Sequence, residues 1–459
     1  MNTRAEDAGA STKHPEPKNY ADLIAMAWPF ILANASVPLL GLVDTAVIGN
    51  TGSVVDLGAI ALGALIFSFV YWSFGFLRMG TTGFVARAFG AGDEEEVRVI
   101  FGRACLMALA VGGTLLLLQL PIATLSFALL SGDEGVESVA KTYFFTRIWG
   151  APATLVTFVI MGVWIGLGES RELLRLQVFL NALNMILDII AAGVLGLGAQ
   201  GIAMGTVIAE ISTCLIAFYR LRAHLSQVHE TRDTVSALWP WQRIRDLSEM
   251  SALIRANIDI MIRTLLLVFA FAYFTNEAAK YGVVALGATH IVLQIMAFTA
   301  FFLDGFAYVA EAETGQSYGA KNKPFFDTAL RKTTVLAGLT ALALSGLVAF
   351  AGGILVELIT DIEEVIVLSK TLLSICAVYV FASFPAFQLD GVFIGTSKTR
   401  EMRDASILSV MVFLAAVWML GDTLGLQGLW WAMVIFVVAR AVTLSFYLRR
   451  VTERFIAVS

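Results

Sequence analysis

Residues 162–173 read GVWIGLGESREL, and residues 391–402 read GVFIGTSKTREM. The two stretches are 229 residues apart in a chain of 459 residues, which is half its length. They are identical at six positions: Gly162/Gly391, Val163/Val392, Ile165/Ile394, Gly166/Gly395, Arg171/Arg400 and Glu172/Glu401. The match includes polar connection residues as well as apolar helix residues, so a chance similarity of two hydrophobic helices does not explain it. It predicts a chain built from two related halves, an organisation typical of transporters.

Other matches lie at nearly the same offset. GAQGIAMGTVI at 198–208 corresponds to GLQGLWWAMVI at 425–435, and Gly90-Ala91 corresponds to Gly319-Ala320. Six membrane spans between matched segments would restore the original direction of the chain. We therefore expect parallel repeats, related by an axis along the membrane normal.

The composition indicates an integral membrane protein. Hydrophobic residues make up 58% of the chain and charged residues 15%, whereas a soluble domain has roughly 25% charged residues. The 31 basic and 36 acidic residues predict no nucleic-acid partner. The three cysteines lie in apolar stretches and the four histidines are scattered, so we expect no metal site and no cofactor.

Apolar runs of membrane length define the spans. The runs are continuous rather than alternating, which favours helices over a β-barrel. The fold class is therefore predicted as an all-α integral membrane protein with 12 transmembrane helices in two six-helix pseudo-symmetric lobes. The predicted spans are residues 21–48, 57–84, 99–128, 138–166, 173–195, 199–220, 252–275, 283–310, 329–356, 365–395, 404–422 and 426–448.

The same reading divides the chain into five parts. We expect a disordered cytoplasmic tail at 1–20, an N-terminal lobe at 21–220, a cytoplasmic linker at 221–251, a C-terminal lobe at 252–450 and a cytoplasmic tail at 451–459. Alternate connections, together with both tails, contain 24 of the 31 basic residues. Because basic residues concentrate on the cytoplasmic side, both termini are predicted to be cytoplasmic.

Charged and polar residues inside the spans of the N-terminal half are candidates for function, because burying them in a membrane is costly. Asp44, Asp188 and Thr206 lie five to eight residues from the outer ends of their spans, about 8–12 Å below the surface at 1.5 Å per residue. Asn184 precedes Asp188 by one helical turn and shares its face. Two carboxylates with amide and hydroxyl oxygens at one depth would suit H⁺ or Na⁺. The alternative is that these side chains only join neighbouring helices.

Several further residues remain secondary candidates. Asn181 lies on the same helix face as Asn184 and Asp188, and Glu210 lies nearer the middle of the bilayer. Pro29 and Pro38 interrupt the hydrogen bonding of span 1, so a bending, gating helix is one reading and tolerated prolines are the other.

In the C-terminal half, Asp259 and Arg263 are four residues apart and are expected to neutralise each other. Asp390 stands beside the repeated glycine motif, where it would line a central cavity or only cap a bend.

These residues resemble the multidrug and toxic compound extrusion (MATE) family over about residues 20–450. The resemblance rests on the repeat, on GAGD at 90–93, and on Asn257-x-Asp259-Ile260-x2-Arg263-Thr264 at the opening of the second half. Asp44 in P-x5-D, Asn184-x3-Asp188 and Thr206 are similar to the DinF-type prokaryotic branch, where this set forms the cation site of the N-terminal lobe. Asp390 partly fits the NorM-type branch, which places its key carboxylates in the C-terminal lobe.

The resemblance implies a secondary antiporter in the bacterial plasma (inner) membrane, expected to act as a monomer. It would export small hydrophobic, often cationic compounds by alternating access, coupled to H⁺ or, as the alternative, to Na⁺. A lipid-linked precursor flippase of the same superfamily is the runner-up, and it would need a more basic cavity. An enzyme is not expected, because the chain has no G-x4-GK[ST] or HExxH motif.

Overall fold

The computed structural model describes residues 17–130, 133–227 and 239–456, and its regular secondary structure there is helical. In the N-terminal half the helices are α1 Tyr20–Thr51, α2 Val54–Ser73, α3 Phe76–Gly90, α4 Glu94–Leu117, α5 Gln119–Leu129, α6 Glu134–Arg147, α7 Ala151–Leu167, α8 Ser170–Asp188 and α9 Gly198–Gln227. The short helix α10 Trp241–Ile244 follows. The C-terminal half contains α11 Leu247–Ala279, α12 Val283–Gly319, α13 Lys323–Ile359, α14 Glu363–Gly395 and α15 Thr399–Ile456.

The predicted spans are confirmed. Eleven helical stretches of the described chain are long and apolar enough to cross a membrane. The last helix, α15, has 58 residues with a non-helical residue, Gly425, at φ +59°. At 1.5 Å per residue its length would be about 87 Å, far more than the ~30 Å of a bilayer core. It therefore supplies two spans that meet at Gly425, which gives twelve.

The predicted linker is partly helical. Helix α9 continues to Gln227 and α11 already begins at Leu247; residues 228–238 lie outside the described residues. Between them, Arg243 of α10 contacts Glu95 of α4 at 2.8 Å, and Arg103 donates a 2.6 Å hydrogen bond to the Arg243 carbonyl. These contacts fix the second part of the linker to the N-terminal half.

The predicted tails lie largely outside the described residues, which exclude 1–16 and 457–459. The side chain of Asn19 caps the start of α1 by accepting a hydrogen bond from the Asp22 amide. At the other end, α15 remains helical through Ile456.

The repeated glycine motif packs helices together inside each half. A Cβ atom on Gly162 of α7 would lie 2.5 Å from the carbonyl oxygen of Arg78 in α3. One on Gly391, at the same place in the second half, would lie 2.4 Å from the carbonyl oxygen of Ala307 in α12. Gly166 and Gly395 repeat this relationship one turn further along. The motif is thus a pair of small-xxx-small helix contacts, which let membrane helices approach closely.

The two halves meet where α3 crosses α12. Gly90 lies against the backbone of Gln316, and Gly319, its counterpart 229 residues later, lies against the backbone of Arg87. We call the end of the bundle that contains this crossing, with the connections at 91–93, 168–169, 320–322 and 396–398, the basic end. Helix α12 packs along α3 and has no comparable packing against α2, within the parts of the chain that the structure describes. The halves are therefore joined mainly at the basic end, and α2 meets the C-terminal half only through a small contact with α11.

Polar contacts add to this closure. Lys18, just before α1, forms an ion pair with the buried Glu313 of α12. The side chain of Gln316 donates a 3.0 Å hydrogen bond to the carbonyl of Gly166 in α7. Lys332 of α13 donates a 2.7 Å hydrogen bond to the carbonyl of Lys18. Each contact joins one half of the chain to the other at the basic end.

Candidate ion-coupling site

Asp44 of α1 and Asp188 at the end of α8 come together in the N-terminal half. Their carboxyl groups lie within hydrogen-bonding range of each other. Asp188 is fully buried, and neither of its oxygens has a hydrogen-bond donor among the described residues. Oδ1 of Asp44 is likewise buried without a hydrogen-bond donor among the described residues. Two facing carboxylates repel each other in a low-dielectric interior, so a shared proton or a bound cation would stabilise the pair.

Asn184 and Thr206 lie beside Asp188. Asn184 donates a 3.0 Å hydrogen bond from Nδ2 to Oγ1 of Thr206, whose hydroxyl donates in turn to the carbonyl of Ile202 at 2.8 Å. This leaves Oδ1 of Asn184 buried without a donor among the described residues. A Cβ atom on Gly205 would lie 2.5 Å from Oδ1 of Asp188, so only glycine lets α9 approach that carboxyl so closely. The structure thus brings together the four residues that the sequence selected.

The backbone changes directly after Asp188. Residues Ile189–Val194 form a π-helical turn, which ends in a 2.9 Å hydrogen bond from the Leu195 amide to the Ile190 carbonyl. Wide turns of this kind are rare and frequently occur at functional sites. Asp188 therefore occupies the last α-helical position before the helix widens.

Asn181 contacts a different part of α1. Its Nδ2 donates to the carbonyl and hydroxyl oxygens of Ser36, at 3.2 and 2.9 Å. Ser36 lies between Pro29 and Pro38, and α1 remains helical across both prolines. Asn181 thus joins α8 to the proline-containing part of α1, apart from the Asp44–Asp188 pair.

Glu210 forms a buried ion pair that the sequence reading missed. Arg147 donates two hydrogen bonds of 2.7 Å to the two carboxylate oxygens of Glu210 and one of 3.3 Å to the Tyr71 hydroxyl. A Cβ atom on Gly150 would lie 2.2 Å from Glu210, so glycine leaves room for the carboxylate. Both charged residues lie roughly a dozen residues from the start of their helices, α6 and α9. Matching depths would have suggested this pairing.

The C-terminal half contains a different arrangement. Asp390 of α14 forms ion pairs with Arg263 of α11 and Arg440 of α15, and all three are buried. Asp390 therefore differs from Asp188, because two guanidinium groups already bind its carboxylate. Within the described ranges, no group of three or more His, Cys, Asp or Glu residues has an arrangement that could hold a metal ion.

The prediction that Asp259 and Arg263 form an ion pair with each other is wrong. Asp259 accepts a 2.7 Å hydrogen bond from Arg403 and one of 3.3 Å from Thr399, both in α15. Partners on neighbouring helices thus bind both residues, and these contacts replace the local i, i+4 interaction.

One buried ion pair crosses between the halves. Arg78 of α3 lies 3.4 Å from Glu311 of α12, and its guanidinium lies over the Tyr308 ring at 4.4 Å. The carboxyl group of Asp304 interacts electrostatically with the guanidinium groups of Arg78, Arg263 and Arg440. The buried charged residues of the C-terminal half therefore form a cluster that also includes Arg78 of the N-terminal half, at the interface between the halves.

Comparison with known proteins gives consistent results. The MatE family model matches residues 29–190 and 260–419. The chain is 33% identical to the DNA damage-inducible protein F of Escherichia coli (strain K12), over 93% of this chain and 91% of that protein.

Solved structures share the fold. One is described as the outward-facing conformation of a multidrug resistance MATE family transporter of the MOP superfamily; it matches with a TM-score of 0.84 and 20% identity over 96% of this chain and 97% of that chain. The Vibrio cholerae MATE transporter VcmN in its bent form also matches with a TM-score of 0.84 and 20% identity, over 95% of this chain and 97% of that chain. These structures have twelve spans in two lobes, as predicted here.

Proposed function

This chain belongs to the MATE family, and from that premise we propose that it is a secondary active multidrug exporter. It moves hydrophobic, often cationic organic compounds out of the cell in exchange for H⁺. The observation that carries the proposal is the Asp44–Asp188 pair, two facing carboxyls whose buried oxygens have no donor among the described residues. A bound proton or cation stabilises such a pair, and its release leaves the two carboxylates with one more negative charge.

The orientation of the chain follows from its basic connections. The basic end faces the cytoplasm, so both termini are cytoplasmic and the protein spans the bacterial inner membrane. Asp44 and Asp188 then lie in the outer half of the N-terminal lobe. In a state closed at the basic end they exchange ions with the exterior.

The contacts between the halves support alternating access. Helices α3 and α12 close the basic end, whereas α2 does not pack along α12 within the described chain. This arrangement corresponds to an outward-facing state, in which substrate leaves and the ion binds. Asp44, on the helix that contains Pro29 and Pro38, would transmit ion loading to a bending α1.

We prefer H⁺ to Na⁺ as the coupling ion. One proton shared by Asp44 and Asp188 removes one charge and supplies the missing hydrogen bond, without a full coordination shell. Na⁺ is the alternative, with the oxygens of Asp44, Asn184, Asp188 and Thr206 as its ligands. Either cation moving inward gains roughly 2.3 kcal/mol per 100 mV of membrane potential, enough for about a fifty-fold gradient of an uncharged substrate. A monovalent cationic substrate leaving in one-for-one exchange cancels this gain, so its export depends on the concentration gradient of the coupling ion.

The test is transport by inverted membrane vesicles. Ethidium or norfloxacin transport is followed in Na⁺-free buffer, with and without a protonophore. Loss of transport with the protonophore supports H⁺ coupling. If the protonophore has no effect and a Na⁺ gradient restores transport, the coupling ion is Na⁺ rather than H⁺, and the antiport mechanism still stands. No gradient-driven transport of either compound would contradict the multidrug assignment.

A lipid-linked precursor flippase receives less support. It would need free basic groups for phosphates in the central cavity. Arg78 and Arg147 are paired with Glu311 and Glu210. Arg263 and Arg440 share Asp390, and the carboxyl group of Asp304 lies near them. These pairs leave little free positive charge for a phosphate.

A further inference from the structure

A groove runs along the outside of the C-terminal half, between α14 and the second span of α15. Its volume is about 430 Å³. Val442 and Phe446, which line it, are exposed. The groove exists because small side chains and a proline face each other across the two helices; its lining includes Ala382, Pro385, Val438, Ala441, Ser445 and Arg449.

The length of the groove corresponds to one leaflet of a bilayer. Val438 and Arg449 are eleven residues apart on α15, which is about 16 Å at 1.5 Å per residue. Half of a hydrocarbon core of ~30 Å is about 15 Å. A lipid chain lying along the groove would thus extend from the middle of the membrane to the basic end.

Arg449 stands at the basic end of this apolar groove. Arg263, Arg403 and Arg440 of the same half form ion pairs with carboxylates. Arg449 has no carboxylate within 4 Å among the described residues, and its side chain is exposed. An acidic group placed above the groove would therefore meet an uncompensated positive charge.

We propose that this groove binds one acyl chain of an anionic phospholipid from the leaflet at the basic end, with the lipid phosphate on Arg449. The apolar lining accommodates the chain, and the guanidinium can donate two parallel hydrogen bonds to the phosphate oxygens. Chain burial alone provides little preference, because the surrounding bilayer is equally apolar. Shape and the Arg449 charge must therefore provide the selectivity.

A second copy of the protein fits the groove less well. Stable protein interfaces use about 20–30 residues on each side, whereas this groove has eight lining residues. The groove is also separate from the proposed ion-coupling site, because neither Asp44 nor Asp188 contributes to its lining.

The test measures lipid retention by the purified full-length protein. Native mass spectrometry compares bound phosphatidylglycerol with bound phosphatidylcholine, for the wild type and three variants. Arg449→Gln should lower the preference for phosphatidylglycerol about fivefold, since one basic residue near a membrane surface contributes about that factor. Ser445→Leu should fill the groove and reduce retention of both lipids.

Arg450→Gln is the matched control. Arg450 is the next residue along α15, is also exposed, and lies over the Tyr447 ring at 5.2 Å. Its replacement should leave the lipid preference unchanged. Equal losses in the Arg449 and Arg450 variants, or none in either, would overturn the proposal. Thermal unfolding checks that the Ser445 variant is folded.

Two competitors identify the occupant. Glycerol phosphate has the phosphate and no chain, and ethidium represents a transported compound. If neither displaces phosphatidylglycerol, the lipid assignment stands. Displacement by glycerol phosphate would show that the site binds a free phosphate, and displacement by ethidium would show a substrate groove; either result rejects the lipid assignment.

Discussion

Ala86 and Gly315 occupy the same position in the two halves of the chain, and they touch each other. A Cβ atom on Gly315 would lie 2.6 Å from the Cβ of Ala86. The two residues are 229 positions apart, the same offset as the repeated glycine motif. Helices α3 and α12 therefore cross on the pseudo-two-fold axis that relates the halves, and the close contact depends on the missing side chain of Gly315.

Gly315→Ala should open the basic end. The added methyl group would overlap Ala86 and lie 2.7 Å from the Gly395 carbonyl oxygen, and overpacking of this kind costs about 1–3 kcal/mol. Separating the halves would relieve the overlap with Ala86; the Gly395 contact lies within the same half and would need a small shift of α14. Spin labels at the exposed positions Ala91 and Asp327, in a variant without the native cysteines, should report a longer distance by pulsed electron paramagnetic resonance.

Gly346→Ala is the control for this prediction. Gly346 lies inside α13, and a Cβ atom there would meet nothing within 4 Å. The label distance should remain at the wild-type value, with stability unchanged or up to ~1 kcal/mol higher. An unchanged distance in Gly315→Ala would show that α3 and α12 adapt without moving the halves.

Asp44→Asn should abolish coupled transport without unfolding the protein. The amide can donate the hydrogen bond that Asp188 lacks, and the pair loses one of its two negative charges. Drug-dependent dissipation of a pH gradient in proteoliposomes should fall at least tenfold, while the thermal midpoint should stay the same or rise. Wild-type dissipation rates would refute the role of Asp44.

Glu210→Gln should destabilise the protein, since it leaves Arg147 buried without its charge partner. Breaking a buried ion pair from one side costs about 3–5 kcal/mol. Replacing both members with apolar residues, Arg147→Met with Glu210→Leu, should recover most of the lost stability. Thermal unfolding of the purified protein measures both effects. A single variant as stable as the wild type would show that Arg147 finds another partner.

The sequence predicted what depends on position along a helix. The spans follow from the lengths of apolar runs, and Asp44, Asp188 and Thr206 could be matched because each has a known distance from the end of its helix. What the sequence did not contain was the rotation of each helix about its own axis. Rotation decides that Glu210 faces Arg147, that Asp390 faces Arg263 and Arg440, and that Asp259 turns to Arg403. These partners lie tens to hundreds of residues apart.

The glycine repeat illustrates the same limit. Its spacing identified Gly162 and Gly391 as equivalent positions in the two halves. The identity of the partner helices α3 and α12 depends on how the helices pack. So does the close approach that would place an added Cβ atom about 2.5 Å from a backbone oxygen and therefore excludes any side chain. The sequence therefore predicted the symmetry but not its structural role.

The ion pair between Arg78 and Glu311 should act as a lock on the closed basic end. It joins α3 of one half to α12 of the other, both side chains are largely buried, and the proposed alternating access must separate them. Arg78→Gln leaves Glu311 without its nearest cation, whereas Glu311→Gln leaves Arg78 close to Asp304. We therefore expect both single variants to lengthen the distance between labels at Ala91 and Asp327, with the larger change in Arg78→Gln.

The double variant Arg78→Gln/Glu311→Gln distinguishes a lock from general damage. It removes both charges while keeping side chains of similar length, so the attraction across the interface is lost but no uncompensated charge remains, and the distance should lie between the wild-type value and that of the Arg78 variant. Glu277→Gln breaks an exposed pair with Lys280 and should leave the distance unchanged, because such pairs contribute less than about 1 kcal/mol. A double variant as closed as the wild type would mean that the pair does not hold the halves together; in that case the helix crossing at Ala86 and Gly315, with the polar contacts of Lys18, Gln316 and Lys332, would do so.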